Sequence, residues 1–366
     1  MAETSNTSKI AEILANDLFS RFLWYDTGGW NQNWKCVKDD HVVEKRTRKK
    51  KTGTGDEVLT ANSDESGSAS NNSNPAESAV ELKKILTHPS DVVFYYDEPY
   101  SLSRTYINTD LKSYKKGTIT AFAIAAAIES LALTLECAEL SEEWQEKFVH
   151  EQKSYRIVGL LFLYNHDGEY DSGFDDILAK VNHEKLKVPR HSRIFVLGPR
   201  DIRWLDNVRY DMMMLYSNHV LPHEDHWSFY YPDLVRKKKV QVSARAATLE
   251  MLTGPWIILS YPASGTNPAG YIVYFRGLGK YAEEFLYLLD HLMHYQMVKP
   301  GIAIGIRTFG ADENAPAQFK RAVDEYIENC DGQDSDFATL LRKITFELMP
   351  QIKSQFSEVK IGMKRG

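Results

Sequence analysis

The pattern of apolar and polar positions divides the chain into two regular parts and one polar segment. Apolar residues recur at helical spacing from Lys9 to Tyr25 and predict the first helix. From Arg46 to Ser78 a basic run leads into Ser, Asn, Gly, Glu and Ala, with almost no large apolar residue. Such a segment buries too little surface to offset its ordering entropy. The pattern therefore predicts a disordered or mobile insertion at about residues 45–78.

After this insertion, helical and strand patterns alternate. Runs of β-branched and aromatic residues indicate strands, and 3.6-residue periodicity indicates helices. The predicted elements are a short helix at 79–86, strands at 91–96 and 104–112, helices at 118–137 and 142–151, a strand at 155–164, a short helix at 174–181 and a strand at 193–197. Turn residues between the first two strands predict a hairpin. A hairpin followed by alternating helices and strands is typical of a mixed α/β sheet with flanking helices.

The second half of the chain has the same kind of pattern, but its helices and strands are less clearly distinguished. Its predicted elements are helices at 202–216, 281–296, 315–329 and 335–349 and strands at 256–261, 271–275 and 303–308. We find no internal sequence repeat. We expect a first domain at 1–205 and a second α/β region at 206–366, which would serve DNA contact, oligomerisation or regulation.

Composition permits at least one sizeable core, because 43% of the residues are hydrophobic. The most apolar stretch, Thr118 to Leu135, carries Glu129 within it, so we interpret it as a buried helix and expect no membrane partner. The polar start, Met1 to Lys9, lacks the features of a signal peptide. We therefore expect a cytoplasmic location.

The net charge of −6 hides two basic clusters. Each is either a solvated charge run or a contact for phosphate groups, and the sequence leaves both open. The three cysteines, Cys36, Cys137 and Cys330, are odd in number and match neither a disulfide framework nor a zinc ribbon. We expect all three to be reduced, structural thiols. The basic clusters span Lys45 to Lys51, with Lys49, Lys50 and Lys51 as nucleic-acid-binding candidates, and Arg236, Lys237, Lys238 and Lys239.

Chemistry concentrates at the two ends of the predicted hairpin. Pro89-Ser90-Asp91 opens its first strand, and Asp110-Leu111-Lys112 closes its second. A turn centred between residues 100 and 101 would place Asp91 directly opposite Asp110, and opposite residues share a face of the sheet. Lys112 shares that face with Asp110 because strand side chains alternate with period two. Two acids and one lysine should therefore converge.

Two facing carboxylates repel each other unless a cation lies between them, and Mg²⁺ prefers oxygen ligands of this kind. A lysine beside the cation can position or deprotonate an attacking water and stabilise charge on a phosphate. The expected chemistry is phosphodiester hydrolysis with Mg²⁺ or Mn²⁺ as cofactor.

These residues resemble the motif of the PD-(D/E)XK, or restriction-endonuclease-like, nuclease superfamily. The resemblance assigns Asp91 and Asp110 to the metal and makes Asp91, Asp110 and Lys112 the catalytic group. This chain departs from the pattern at Ser90, which separates the proline from the acid. Many members of the superfamily add a glutamate from the first helix, and Glu12 is the candidate; the alternative is an ordinary helix-surface acid. Lys115 and Lys116 are candidates for phosphate contact.

The resemblance implies a DNA endonuclease, with a role in bacterial restriction or anti-phage defence by analogy of fold. Cutting both strands needs two centres, so we expect a homodimer or larger assembly, with a second protein subunit as one form of it. The first alternative is a non-catalytic DNA- or partner-binding protein on a degenerate nuclease fold. The second is a zinc hydrolase built on His219, His223 and His226. Metal analysis would separate the last, since the nuclease hypothesis expects weak Mg²⁺ and no stoichiometric zinc.

Overall fold

The computed structural model describes most of the chain. The described residues are 2–46, 80–151, 153–170, 173–182, 184, 186, 188, 189, 192–232, 245–265, 267–330 and 336–349. Nearly all of the predicted insertion at 45–78 lies outside them, as does the cluster from Arg236 to Lys239.

The first half contains a five-stranded mixed sheet. Its strands, in spatial order, are β1 (Tyr25–Asp26), β6 (Val92–Asp97), β7 (Arg104–Tyr114), β8 (Tyr155–Asn165) and β9 (Ile194–Leu197). The pairs β1–β6 and β6–β7 are antiparallel, and β7–β8 and β8–β9 are parallel. The parallel connections pass through α2 (Ala121–Ala138), α3 (Glu142–Phe148) and α4 (Phe174–Leu178). This is a mixed α/β architecture of the restriction-endonuclease-like type.

Helices cover both faces of this sheet. On one face, α1 (Ala2–Arg21) and α5 (Pro199–Ser217) pack over Phe94, Ile107 and Phe162. On the other face, α2 and α3 pack over Val93 and Tyr106, together with alternate residues of β8. The central strand β8 is therefore buried on both sides and reads as a continuous apolar run, as expected for a strand of a covered parallel sheet. By length and composition α2 could cross a membrane, but half of that helix is buried in the protein.

Two small ladders lie between α1 and β6. One pairs β2 (Gln32–Lys35) with β5 (Thr87–Ser90), and the other pairs β3 (Val42–Arg46) with β4 (Val80–Lys84). The helix predicted at 79–86 is therefore wrong. Its sequence favours helix locally, but pairing with β3 outweighs that propensity. The first residues of the basic run, Lys45 and Arg46, belong to β3.

The second half contains another five-stranded sheet. Its spatial order is β10 (Ser228–Phe229), β11 (Trp256–Tyr261), β12 (Gly270–Phe275), β13 (Ala303–Thr308) and β14 (Thr345–Leu348). The associated helices are α6 (Leu249–Thr253), α7 (Ala282–His294), α8 (Ala315–Asn329) and α9 (Asp336–Arg342). The helix predicted at 335–349 is wrong in its second half, where residues 345–348 form β14 against β13.

The two sheets share one plan. In the second sheet β10–β11 and β11–β12 are antiparallel, and β12–β13 and β13–β14 are parallel. This is the order and orientation found in the first sheet. The repeat exists in topology without a repeat in the amino-acid sequence, which explains why periodicity did not reveal it.

The two halves share a hydrophobic core. Trp24 donates from its indole nitrogen to the Ala247 carbonyl at 2.5 Å, and the Leu249 backbone N–H donates to the Tyr96 hydroxyl at 3.3 Å. The predicted boundary at 205/206 falls within α5, which packs on the first sheet. The division into two domains remains a prediction.

Candidate active site

The hairpin has the register that its sequence predicts. Val92 pairs with Thr109, and Asp97 pairs with Arg104. Asp91 directly precedes this ladder, and Asp110 follows Thr109 within β7. The structure therefore brings the two carboxylates close enough for the charge of Asp110 to act on Asp91.

Lys112 lies on the same face as Asp110. In the parallel ladder Asp110 pairs with Leu161 and Lys112 pairs with Leu163, and both leucines belong to the core beneath α2. The residue between them, Leu111, packs instead against the core on the α1 side. The Lys112 ammonium donates to Asp110 Oδ1 at 2.5 Å. Period-two alternation thus forms the acid–lysine pair.

Asp91 is held by the backbone of the neighbouring strand. Its Oδ2 accepts a hydrogen bond from the Leu111 N–H at 2.7 Å. Burial raises the pKa of Asp91 to about 6, and the charge of Asp110 acts in the same direction. The Leu111 hydrogen bond and the charge of Lys112 act against this rise. An acid with a raised pKa next to a second acid is a site that a cation would stabilise.

Lys112 stays protonated in this setting. Burial lowers the pKa of Lys112, but the charge and hydrogen bond of Asp110 outweigh it, and the net effect is a raised pKa. Its side chain is 34% exposed and that of Asp110 is 16% exposed, so both border solvent. The site therefore offers two carboxylates for a hard divalent cation and one ammonium for a phosphate oxygen.

Glu12 is linked to this group through one residue, Asn31. The Asn31 side-chain amide donates to Glu12 Oε1 at 3.1 Å, and its backbone N–H donates to the Asp91 carbonyl at 2.8 Å. The other Glu12 oxygen accepts from Lys9 at 2.7 Å. Glu12 is buried and lines a cavity of about 230 Å³ with Trp30. It is thus no ordinary surface acid, although α1 lies on the opposite face of the sheet from Lys112.

Asn31 was not anticipated from the sequence. Its φ of 54° lies in the left-handed region, which asparagine enters more readily than most residues. The only sequence signal was the run Gly28-Gly29-Trp30-Asn31, which resembles a turn and gives no hint of a link between α1 and the hairpin.

Ser90, the departure from the family motif, is fully buried in a polar network. The Trp34 indole donates to Ser90 Oγ at 3.1 Å, and Ser90 donates to Asn108 Oδ1 at 2.6 Å. Asn108 also accepts from the Trp144 indole at 3.4 Å. Ser90 precedes Asp91, and Asn108 lies two residues before Asp110. The serine therefore ties the ends of the two acid-bearing strands together.

The structure describes two of the candidate phosphate contacts, Lys115 and Lys116. Lys115 and Lys116 are exposed just beyond β7, three and four residues after Lys112. The candidates Lys49, Lys50, Lys51, Arg236, Lys237, Lys238 and Lys239 lie outside the described residues.

The loop histidines are not among the metal-binding side chains that converge in the described part of the chain. His219, His223 and His226 are exposed, and His223 pairs with Asp225 at 3.0 Å. Among the described residues, the donor atoms that converge belong instead to Cys36, His41, His88 and Cys137. Sequence reasoning missed this cluster, because its members are widely separated along the chain and the two cysteines were interpreted as separate structural thiols.

Comparison with protein families agrees with the geometry. The family model described as the GAPS4 protein PD-(D/E)XK nuclease domain matches residues 1–201, more than half of the chain. The match contains the first sheet and both halves of the acid–lysine motif. No curated protein and no solved structure matches. With the hairpin register, the acid–lysine face and the matched length together, the chain belongs to the GAPS4 PD-(D/E)XK nuclease domain family.

Proposed function

We propose that this nuclease is a Mg²⁺-dependent DNA endonuclease whose cutting centre consists of Asp91, Asp110 and Lys112. The observation that supports it most is the pairing of β6 with β7, which leaves Asp91 and Asp110 close enough to interact electrostatically, with Lys112 two residues further on. PD-(D/E)XK nucleases generally use divalent metals, and the two carboxylates provide the oxygen ligands that such ions prefer. Mn²⁺ would fit the same ligands.

The reaction is hydrolysis of a phosphodiester. A water oxygen bonds to phosphorus, the bond to one ester oxygen breaks, and the products are a phosphate monoester and a hydroxyl. A divalent cation bound at the acids supplies positive charge for the phosphoryl oxygens. The protonated Lys112 donates to a non-bridging oxygen or to the attacking water, and Asp110 keeps its ammonium in place.

In this proposal Glu12, the candidate third metal ligand, supports the metal site through its Asn31 link to Asp91. The exposed Lys115 and Lys116 contact the DNA backbone beside the centre. The basic run from Lys45 to Lys51 and the cluster from Arg236 to Lys239 add affinity without base specificity. A cytoplasmic defence or restriction role, in a homodimer or with a second subunit, completes the proposal.

The test is cleavage of supercoiled, linear and single-stranded DNA with Mg²⁺, with Mn²⁺ and with EDTA. We expect cutting that requires the divalent ion and is lost in the Asp91→Asn protein. Intact DNA under every condition would remove the claim of autonomous activity. Binding without cutting would favour a DNA-binding protein on a degenerate nuclease fold.

A further inference from the structure

Four metal-binding side chains converge outside the cutting centre. Cys36 follows β2, His41 precedes β3, His88 lies in β5, and Cys137 lies in the last turn of α2. Their donor atoms all lie within 4.8 Å of one another. His41, His88 and Cys137 are buried, and Cys36 is half-buried. Four separate elements therefore contribute one potential ligand each.

Four of the six distances between these donors are close to the edges of a tetrahedron around zinc, and the remaining two are within 4.8 Å. Zn–S bonds of about 2.3 Å and Zn–N bonds of about 2.0–2.1 Å give edges of about 3.8 Å for S···S, about 3.6 Å for S···N and about 3.4 Å for N···N. The two sulfurs are 3.6 Å apart, and His41 Nδ1 is 3.5 Å from Cys36 Sγ and 3.4 Å from Cys137 Sγ. His41 Nδ1 and His88 Nε2 are 3.4 Å apart.

Each histidine also has an acceptor for its outer ring nitrogen. His41 Nε2 is 3.1 Å from Glu136 Oε2, and His88 Nδ1 is 3.3 Å from Thr134 Oγ1. The Thr134 hydroxyl already donates to the Ser130 carbonyl at 3.0 Å, so its oxygen is left to accept from His88. These contacts hold the protons on the outer nitrogens and leave His41 Nδ1 and His88 Nε2 free to bind a metal.

We propose that Cys36, His41, His88 and Cys137 bind a structural Zn²⁺ ion. Two thiolates and two imidazoles are a ligand set that zinc takes in closed, four-coordinate sites, which have no open position for water or substrate. The carboxylate of Glu136, itself paired with Lys38, supports His41 as outer-shell carboxylates support histidine ligands of zinc.

The ion would fasten the strand that leads into the cutting centre. His88 and Ser90 are the two buried residues of β5, and Asp91 follows directly. The same ion would hold β5 to α2 through Cys137 and to the base of the β3–β4 ladder through His41. Zinc here would therefore position Asp91 without touching the substrate.

A disulfide between Cys36 and Cys137 is the competing use of the two sulfurs. An S–S bond is about 2.0 Å long, and it gives no reason for two imidazole nitrogens to face the same point. The separation of 3.6 Å and the two outward histidine hydrogen bonds fit the metal instead.

The first experiment measures metal in the full-length protein by inductively coupled plasma mass spectrometry after dialysis. We expect stoichiometric zinc in the parent, and its loss in Cys36→Ser, whose half-buried position tolerates the change. Cys330→Ser is the matched control, because Cys330 is exposed at the end of α8 and does not belong to the cluster, and this variant should keep its zinc. Zinc that is lost in Cys36→Ser comes from this site and does not indicate a zinc hydrolase, whereas stoichiometric zinc retained by a folded Cys36→Ser protein would overturn the proposal.

Two further measurements keep the proposal falsifiable if Cys36→Ser folds poorly. Co²⁺ substituted into the parent should give the thiolate charge-transfer absorption of a tetrahedral site. Glu136→Gln should weaken zinc about 10- to 100-fold in a chelator competition, since it removes the support of His41. A parent that takes up neither Zn²⁺ nor Co²⁺ after reduction would overturn the proposal. So would an intact mass showing a Cys36–Cys137 disulfide that forms in the presence of zinc.

Discussion

Lys112 and Asp91 both lie close to Asp110, whose negative charge stabilises the charged lysine and destabilises the charged form of Asp91. Lys112 is a partly buried cation whose charge is satisfied by Asp110, while Asp91 is a half-buried acid whose charge is opposed by Asp110. A divalent cation would change this balance by compensating both acids and leaving the ammonium for the phosphate. The two residues therefore call for different tests, one of catalysis and one of stability.

Lys112→Ala should separate catalysis from folding. The side chain borders solvent at the end of β7, so the sheet should stay intact, and Asp91 and Asp110 remain to hold the metal. Loss of a group that stabilises a phosphoryl transition state costs about 3 to 4 kcal/mol, so cutting should fall by about two to three orders of magnitude. Single-turnover plasmid cleavage and DNA binding measure the two effects.

The control for that substitution is Lys320→Ala, which removes an exposed lysine from α8. Its cutting rate should match the parent. A folded Lys112→Ala protein that binds DNA and cuts at the parental rate would show that the acid–lysine triplet is a chance match.

Asp91→Asn should stabilise the metal-free protein at alkaline pH. The folded-state pKa of Asp91, about 6, is above the ordinary value of about 4, so the folded state holds this proton more tightly than the unfolded state. The parent should lose stability as pH rises through this window, with the loss complete above pH 6. The neutral amide avoids that loss, so its Tm at pH 8 in EDTA should exceed that of the parent.

Added Mg²⁺ should raise the Tm of the parent and leave that of Asp91→Asn nearly unchanged. Asp17→Asn, which neutralises an exposed acid on α1, should follow the parent in both conditions. A lower Tm for Asp91→Asn than for the parent at pH 8 in EDTA would contradict the assigned cause of the raised pKa.

At the scale of elements, the proposed cutting centre lies where a strand ladder, a hairpin and a helix meet. β5 enters it with Ser90 buried, β7 carries the second acid, and α1 reaches it through Asn31. The loop between β1 and β2 therefore links Glu12 to Asp91 through Asn31.

Asn31 can be tested with two substitutions that differ in backbone freedom. Asn31→Gly keeps the left-handed φ and the backbone hydrogen bond to Asp91 but removes the amide bonded to Glu12. Asn31→Ala also loses the amide and adds backbone strain of about 1 to 2 kcal/mol. We expect the Gly variant to keep the parental Tm and to cut more slowly, and the Ala variant to be impaired in both. Full activity in Asn31→Gly would mean that the Glu12 amide contact is not needed for cutting.

Strands and helices with strong periodicity could be predicted from the sequence, and so could the face shared by Asp110 and Lys112. The hairpin register follows from its turn position and strand alternation alone. The strand β4 could not be predicted, because its residues favour helix in isolation and form a strand by pairing with β3. The cluster of Cys36, His41, His88 and Cys137 could not be predicted either, since two ladders and a helix must fold before these ligands meet.

At the scale of the whole molecule, the second sheet repeats the plan of the first without its chemistry. In the β11–β12 hairpin, Trp256 pairs with Phe275, so Pro255 and Arg276 hold the positions that correspond to Asp91 and Asp110. Arg276 pairs with Asp201 at 2.6 Å and lies over the Trp204 ring. This arrangement fits a structural role. A proline and an ion-paired arginine cannot provide the oxygen ligands that a divalent cation needs.

The proposed function gives each chain one cutting centre, which has a consequence for the product. A single centre hydrolyses one strand at a time, so cutting both strands at one place requires two chains. We expect the parent to linearise supercoiled plasmid, and a mixture with excess Lys112→Ala chains to shift the product from linear to nicked circles. Chains that pair with an inactive partner can still cut one strand but not the second.

The measurement is the ratio of linear to nicked DNA at constant parental concentration. The control mixture contains excess Lys320→Ala chains, which should leave linear product dominant. If excess Lys112→Ala left the ratio unchanged, each chain would have to cut both strands by itself, by turning over or by a second centre.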